Sequence, residues 1–189
     1  MINWITEIDK NISLFFLNFK NPILISFFID LYYLFYFVFL IFILFVYFIE
    51  RDRKKFRKIA IITLIGFILV FSLKFLIKRE RPETSLIIKT DYSFPSSHSF
   101  FSTVLFAFSG SGFIGLLFKL ISILSFISLL YIQVHYFSDV VFSILLFLFI
   151  NYFYNFIENF LKLAEKKKLE VGKITIQRRK IKVKKARKE

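Results

Sequence analysis

Cysteine is absent from this 189-residue chain, and histidine occurs only twice, at His98 and His135. Without cysteine, disulfides and thiolate chemistry are excluded, and the redox compartment leaves no trace. Two histidines with no His-x-x-x-His pair and no acidic repeat cannot supply a dedicated metal cage, so neither a metal nor another cofactor is expected. No repeat or low-complexity linker marks a second folded domain. Acidic residues are also scarce, 13 against 27 lysines and arginines, for a net charge of +14.

Apolar residues are what the chain has in quantity: hydrophobic residues make up 57% and aromatics 21%. A bilayer core of about 30 Å takes about 20 helical residues per crossing. Several runs approach that length: Tyr32 to Phe48, extending back to Pro22 if Asp30 is tolerated; Ile59 to Ile77, interrupted by Lys74; and Phe100 to Phe118, broken at Gly110-Ser111-Gly112. The break predicts a short helix, a turn and a further helix from Phe113 to Val134, with a last one from Val140 to Leu161. The fold class is therefore all-α, a polytopic membrane helix bundle of about five to six transmembrane helices. The first fifty residues accommodate one span or two.

Ahead of the first span, Trp4, Ile5, Ile8, Ile12, Phe15, Phe16 and Phe19 recur at helical spacing with polar residues between them. Residues 1–21 thus read as an amphipathic helix, either lying in the membrane interface or packed against the bundle. They lack the basic start and small-residue cleavage site of a secretory signal. Residues 22–161 form the membrane-embedded domain, and 162–189 a basic tail. The segment Glu50 to Lys58 carries +4 and the tail +10, which together equal the whole net charge. Four crossings between them place both on one side, which the bias of basic segments makes cytoplasmic. The tail is expected to meet anionic lipid headgroups, and nucleic acid is not expected.

Three polar islands interrupt the apolar sequence: Lys74 to Pro82, Pro95 to Ser99, and His135 to Asp139. The topology brings the end of the second spanning helix, the start of the third, the end of the fourth and the start of the fifth to one membrane face, away from the cytoplasm. A phosphate gives each island a use. Lys74 and Arg81 neutralise an anion, where Lys74 would otherwise have to snorkel. A serine-rich turn opening a helix at Ser96 and Ser97 offers N–H groups and hydroxyls to phosphate oxygens. Asp139, four residues after His135, can orient its imidazole, and His98 is a second titratable ring.

The sets Lys74-x6-Arg81-Pro82, Pro95-Ser96-Ser97-His98 and Ser128-x6-His135-x3-Asp139 resemble the three-part signature of the type 2 phosphatidic acid phosphatase family, which shares its core with vanadium haloperoxidases. The resemblance spans about residues 22 to 161. It implies a metal-independent hydrolase of lipid phosphates or diphosphates, such as undecaprenyl diphosphate or a phosphoglycerolipid. By position, His135 is the implied nucleophile that forms a phosphohistidine, Asp139 its partner and His98 the acid. Lys74, Arg81, Ser96 and Ser97 are the implied phosphate cradle, under a loop from Lys78 to Phe94.

Two positions depart from the signature. Ser97 stands where the family usually has glycine, and Leu129 where it has arginine, with no arginine between residues 82 and 177. Lys78 or Arg79 is the expected stand-in for the missing charge, and Leu129→Arg is expected to raise kcat/KM. Otherwise Lys78, Arg79, Glu80 and Glu83 read as a solvated loop and Tyr136 as an interfacial aromatic. A catalytically weak or inactive lipid-phosphate-binding relative is the alternative that Leu129 suggests.

Overall fold

The computed structural model describes the backbone of residues 3–186 and the side chains of 4–166. Its helices, in chain order, are α1 (Asn3–Asn18), α2 (Pro22–Phe45), α3 (Arg53–Ile77), α4 (Ser97–Phe108), α5 (Phe113–Tyr131) and α6 (Phe137–Ala186). A π-helical turn, Val46–Glu50, continues α2 and stops at Arg51, whose φ of 53° is left-handed. Among the described residues there is no strand, and the protein is an all-α polytopic membrane bundle. The chain divides into two compact units, Met1–Ile150 and Asn151–Glu189. In the second, Lys162 pairs with Glu158 at 3.1 Å across one helical turn. The lipid contacts expected of the tail fall on side chains outside the described residues, apart from its first few positions.

Four segments are long and apolar enough to cross a membrane: Pro22–Glu50, Arg53–Ile77, Phe113–Tyr131 and Phe137–Lys166. The shorter apolar helix α4 stands beside them, and the first fifty residues hold one such span, Pro22–Glu50, rather than two. The two outer helices of the site begin and end differently from the sequence reading. α5 stops at Tyr131, before Val134, because Gln133 takes a left-handed φ of 57°. α6 starts at Phe137, before Val140, which puts Asp139 in its first turn.

Local chemistry sets the helix starts. Asn21 caps α2, accepting from the N–H groups of Ile23 at 2.9 Å and Leu24 at 3.4 Å, with Pro22 at the first helical position where no donor is needed. Asp52 caps α3 through Lys54 and Lys55, both at 3.0 Å. The core then follows from one stripe per helix: Phe28, Tyr32, Phe35, Phe39 and Phe42 on α2, and Ile59, Ile62, Gly66, Val70 and Lys74 on α3. Lys74 extends the buried stripe of α3, which turns its ammonium into the bundle instead of toward lipid. At Gly66 the backbone lies against Phe100, and a Cβ there would sit 2.0 Å from the ring. That close approach joins α3 to α4. Serine pairs supply the polar glue: Ser102 donates to Ser125 at 2.9 Å between α4 and α5, and Ser99 donates to the Val140 carbonyl at 3.0 Å.

One face of α1 packs on the end of α5, where Phe16 meets the Tyr131 ring edge-on. The Tyr131 hydroxyl donates to the Phe19 carbonyl at 2.8 Å and accepts from the Asn21 N–H at 2.9 Å, fixing the turn into α2. Trp4 and Phe15 remain exposed on the other face of α1.

Candidate active site

His135 lies in the α5–α6 turn, and Gln133 shapes that turn. The buried Gln133 amide donates to the Leu130 carbonyl at 3.0 Å and the Ser13 carbonyl at 3.2 Å, while its oxygen accepts from Thr84 at 3.0 Å and from the Ser13 hydroxyl. α1 and the 78–96 loop are thus both bound to the turn that carries the imidazole.

Asp139, the third residue of α6, accepts from the Tyr136 N–H at 3.0 Å, the reciprocal half of a capping box. The same oxygen lies 3.6 Å from His135 Nδ1, which has no closer partner. Burial pushes the His135 imidazolium well down, against the pull of Asp139, and Arg81 pushes it further down. The ring is therefore neutral at ordinary pH. Its other nitrogen, Nε2, is 3.3 Å from Arg81 Nη1.

Arg81 spreads its fork over three oxygens. Nη1 donates to the Val134 carbonyl at 2.6 Å, Nε to the Asp91 carbonyl at 3.0 Å, and Nη2 to the Asp91 carboxylate at 2.8 Å. Lys74 Nζ is 3.3 Å from the other Asp91 oxygen and donates to the Tyr92 carbonyl. Partial burial pushes the Asp91 carboxyl up, but Arg81 and then Lys74 outweigh it and hold the group below the usual carboxylate range.

His98, at the start of α4, is fully engaged. Its Nε2 meets the Tyr32 carbonyl at 3.1 Å, its Nδ1 meets the Tyr36 hydroxyl at 3.2 Å, and the Tyr32 ring stacks on it with centroids 4.1 Å apart. Ser96 caps α4, accepting from Ser99 N–H at 3.2 Å, and Ser97 shares a hydrogen bond of 3.0 Å with Tyr36. His98, His135, Asp139, Lys74, Arg81, Ser96 and Ser97 therefore gather at one end of the bundle. A cavity against His135, Tyr136, Asp9 and Pro82 offers only about 10 Å³, the room of a single water. An apolar groove of about 520 Å³ opens instead behind Asp139, between α1 and α6, with Arg79 and Ser138 at its polar end. Among the described residues no cluster of three His, Asp or Glu side chains is arranged to hold a metal.

Lys78, Glu80 and Glu83 are exposed as a solvated loop has them, and Arg79 alone departs from that reading and from the role of stand-in for the missing arginine. It is held in an ion network, donating to Asp139 at 2.6 Å, to Ser138 at 2.7 Å and to Asp9 at 2.7 Å, with its guanidinium 4.0 Å over the Tyr136 ring. Tyr136 is thus a platform for that cation as well as an aromatic near the boundary. Asp9 accepts in turn from the Ser138 N–H at 2.8 Å, capping α6 from another helix. Lys78 is exposed and closes α3 with a left-handed φ of 52°. Leu129 is fully buried in an apolar cluster with Phe28, Tyr32 and Ile87. An arginine there would enter that cluster without an anion beside it, so the expected gain from Leu129→Arg becomes an expected loss.

The PAP2 superfamily model matches residues 57–162, the segment that holds every one of the three islands. This chain belongs to the PAP2 superfamily. No curated protein sequence matches it. Among solved structures, the transmembrane PAP2 type phosphatidylglycerolphosphate phosphatase from Bacillus subtilis is similar with a TM-score of 0.65 and 22% identity, covering 81% of this chain and 87% of that one. Aquifex aeolicus LpxE is similar with a TM-score of 0.60 and 23% identity, covering 78% and 92%. At such identities the likeness shows the PAP2 fold. Asp9 lies outside the PAP2-matched residues, so part of the network behind Asp139 is contributed from beyond them.

Two residues, Asp9 and Asp91, were missed from the sequence, and a third, Arg79, was given another role. Asp9 sits on the same helical stripe as Ile5, Ile12 and Phe16, a spacing that places a carboxylate on the packed face. Asp91 is the only acid between Glu83 and Asp139. Arg79 has no local signal, because its partners are 59 to 70 residues away in the chain.

Proposed function

We propose that this protein is a metal-independent membrane lipid phosphatase, acting on a lipid phosphate or diphosphate through a phosphohistidine. The observation that carries the reading is the alignment at His135, with Asp139 Oδ2 3.6 Å from one nitrogen and the Arg81 guanidinium 3.3 Å from the other. A neutral imidazole backed by a carboxylate is a nucleophile, and a cation beside its attacking nitrogen marks where phosphate charge is held.

His135 Nε2 attacks phosphorus as the bond to the leaving oxygen breaks, and His98, which must enter this step as the imidazolium, having taken a proton from the substrate phosphate or from solvent, gives that oxygen its proton. Water then attacks phosphorus, the N–P bond breaks, and the water's proton passes to His98. For either transfer the His98 ring must exchange its bond to Tyr36 or to the Tyr32 carbonyl for one to substrate. Lys74, Arg81, Ser96 and Ser97 cradle the phosphate and its transition-state charge. The neighbouring Bacillus subtilis phosphatase acts on a phosphatidylglycerolphosphate, which favours a phosphoglycerolipid, with undecaprenyl diphosphate the other substrate to test.

The basic 50–58 segment and the tail favour an orientation in the cytoplasmic membrane with both on the inner side and the site on the outer, and α1 lying at the outer interface. Leu129 in its apolar cluster favours a second reading, a weak or inactive relative that binds lipid phosphates. The test is inorganic phosphate release by the detergent-purified protein, with chelator, from undecaprenyl diphosphate, phosphatidylglycerophosphate and phosphatidic acid, beside His135→Ala. Chelator-resistant release lost in the variant supports the histidine mechanism and ranks the substrates. No release from a folded protein selects the second reading.

A further inference from the structure

Lys74 and Arg81 are both occupied by a single anion, the Asp91 carboxylate, at 3.3 and 2.8 Å. The two cations are deeply set, with side chains 4% and 10% exposed, whereas the Asp91 side chain is 51% exposed. The grip on Asp91 also leaves Arg81 Nη1 directly at His135 Nε2, the nitrogen proposed to attack phosphorus. While these contacts stand, both cations are taken by Asp91, and a phosphate can claim them only in its place.

The segment bearing Asp91 is anchored at both ends. Leu86 N–H donates to the Ile132 carbonyl at 3.0 Å, and Ser93 N–H to the Arg79 carbonyl at 2.8 Å. Between these anchors, among the described residues, the hydrogen bonds of 88–92 are those made to Lys74 and Arg81. Apart from Ile87 buried at its base and the Lys89 ammonium over the Tyr32 and Tyr33 rings, the strap is held down by the same two cations that a phosphate would claim.

We infer that Asp91 is a built-in competitor for the phosphate cradle: its carboxylate fills the anion position in the empty enzyme, and substrate must displace it, so that Asp91 sets the affinity threshold of the site. The inference rests on the proposed role of Lys74 and Arg81 as phosphate ligands. Its physical logic has two sides. An empty cradle would leave Lys74 buried without a counter-charge, which is strongly destabilising. A phosphate carries more charge and more acceptor oxygens than one carboxylate, so it can win the exchange, and the loss of the carboxylate's contacts is subtracted from its affinity. A lipid that presents only a neutral headgroup lacks the charge to open the strap.

The test uses the full-length protein in detergent with orthovanadate and inorganic phosphate as probes. In Asp91→Asn the melting temperature without anion should fall, while the anion concentration giving half-maximal thermal protection drops by about tenfold, the scale of one charge-assisted contact released. KM for phosphate release should fall in parallel. Weaker protection in Asp91→Asn than in wild type would overturn the inference and make Asp91 a positioning residue for the cations. Equal protection would overturn the inference and leave the phosphate reading standing, whereas no protection of either protein would overturn both. A second readout does not depend on that variant folding. Ile88 is 96% exposed on the strap and the chain has no cysteine, so Ile88→Cys offers a unique spin-label site. Orthovanadate should increase label mobility there, and unchanged mobility at an anion concentration that protects the protein would overturn the displacement.

Discussion

Two aspartate–arginine clusters flank His135, and they differ in one respect. On one side Arg81 holds Asp91, whose side chain is half exposed and rides on a loop without regular structure. On the other, Arg79 holds Asp9 and Asp139, whose side chains are 2% and 0% exposed and belong to helices α1 and α6. The ion pairs have nearly the same length, 2.8 Å against 2.7 and 2.6 Å. Burial and anchorage decide what each can do. The exposed pair can open in exchange for water or an incoming anion. The sealed one cannot lose a member without stranding a charge, so it serves as the fixed reference against which the movable side works.

The largest expected effect comes from breaking the sealed cluster. Arg79→Ala leaves Asp9 and Asp139 uncompensated and should lower stability by about 3–5 kcal/mol, read as a large fall in melting temperature. Asp9→Asn keeps the shape but removes one charge, and a double-mutant cycle with Arg79→Ala should show strong coupling. Additive effects would mean that the cluster does not act as a unit. Leu129→Arg comes next: a guanidinium introduced beside Phe28 and Tyr32 should destabilise the protein and lower phosphate release, and a rise in kcat/KM would show that the apolar cluster opens onto the phosphate.

A pH series sharpens the comparison at its centre. His135 has a folded pKa below its ordinary 6.5, so the unfolded chain takes up a proton first as pH falls. The stability tied to its neutral form is present above pH 6.5 and is lost as pH drops from there through the folded value. The acid limb of kcat/KM, which reports the free enzyme, should likewise lie below pH 6.5, and a limb above it would mean that the ring is not sealed from water. At the small end, Glu158→Gln removes an exposed helical ion pair with Lys162 and should change stability by about 0.3–0.5 kcal/mol, a control for how much burial matters elsewhere.

The spanning helices were legible because length and hydropathy alone define them, and the motif residues because their spacings are local. The errors fall where a distant segment decides. α5 stops short of Val134 because Gln133 turns back to Ser13, 120 residues away, and no nearby residue announces that bond. Arg79 looked like one more loop cation until Asp9 and Asp139, 70 residues before it and 60 after it, closed on it. Asp91 was legible only as a lone acid in a long acid-free stretch; that it would meet both cations depended on the fold of the strap.

The shortness of α4 has a consequence for hydration. Lys58 stands 5.3 Å from the ring of Phe108, the last residue of that 12-residue helix, which ties its far end to the charged start of α3. From Phe108 back to His98 the axis rises about 15 Å, while a bilayer core measures about 30 Å. On the proposed topology, a helix that short leaves the imidazole below the outer membrane surface. If the proposed lipid phosphatase activity holds, a headgroup drawn down to it sheds its water before any bond changes, so dehydration is part of the work of turnover, and strongly hydrated headgroups start at a disadvantage however well their phosphate fits.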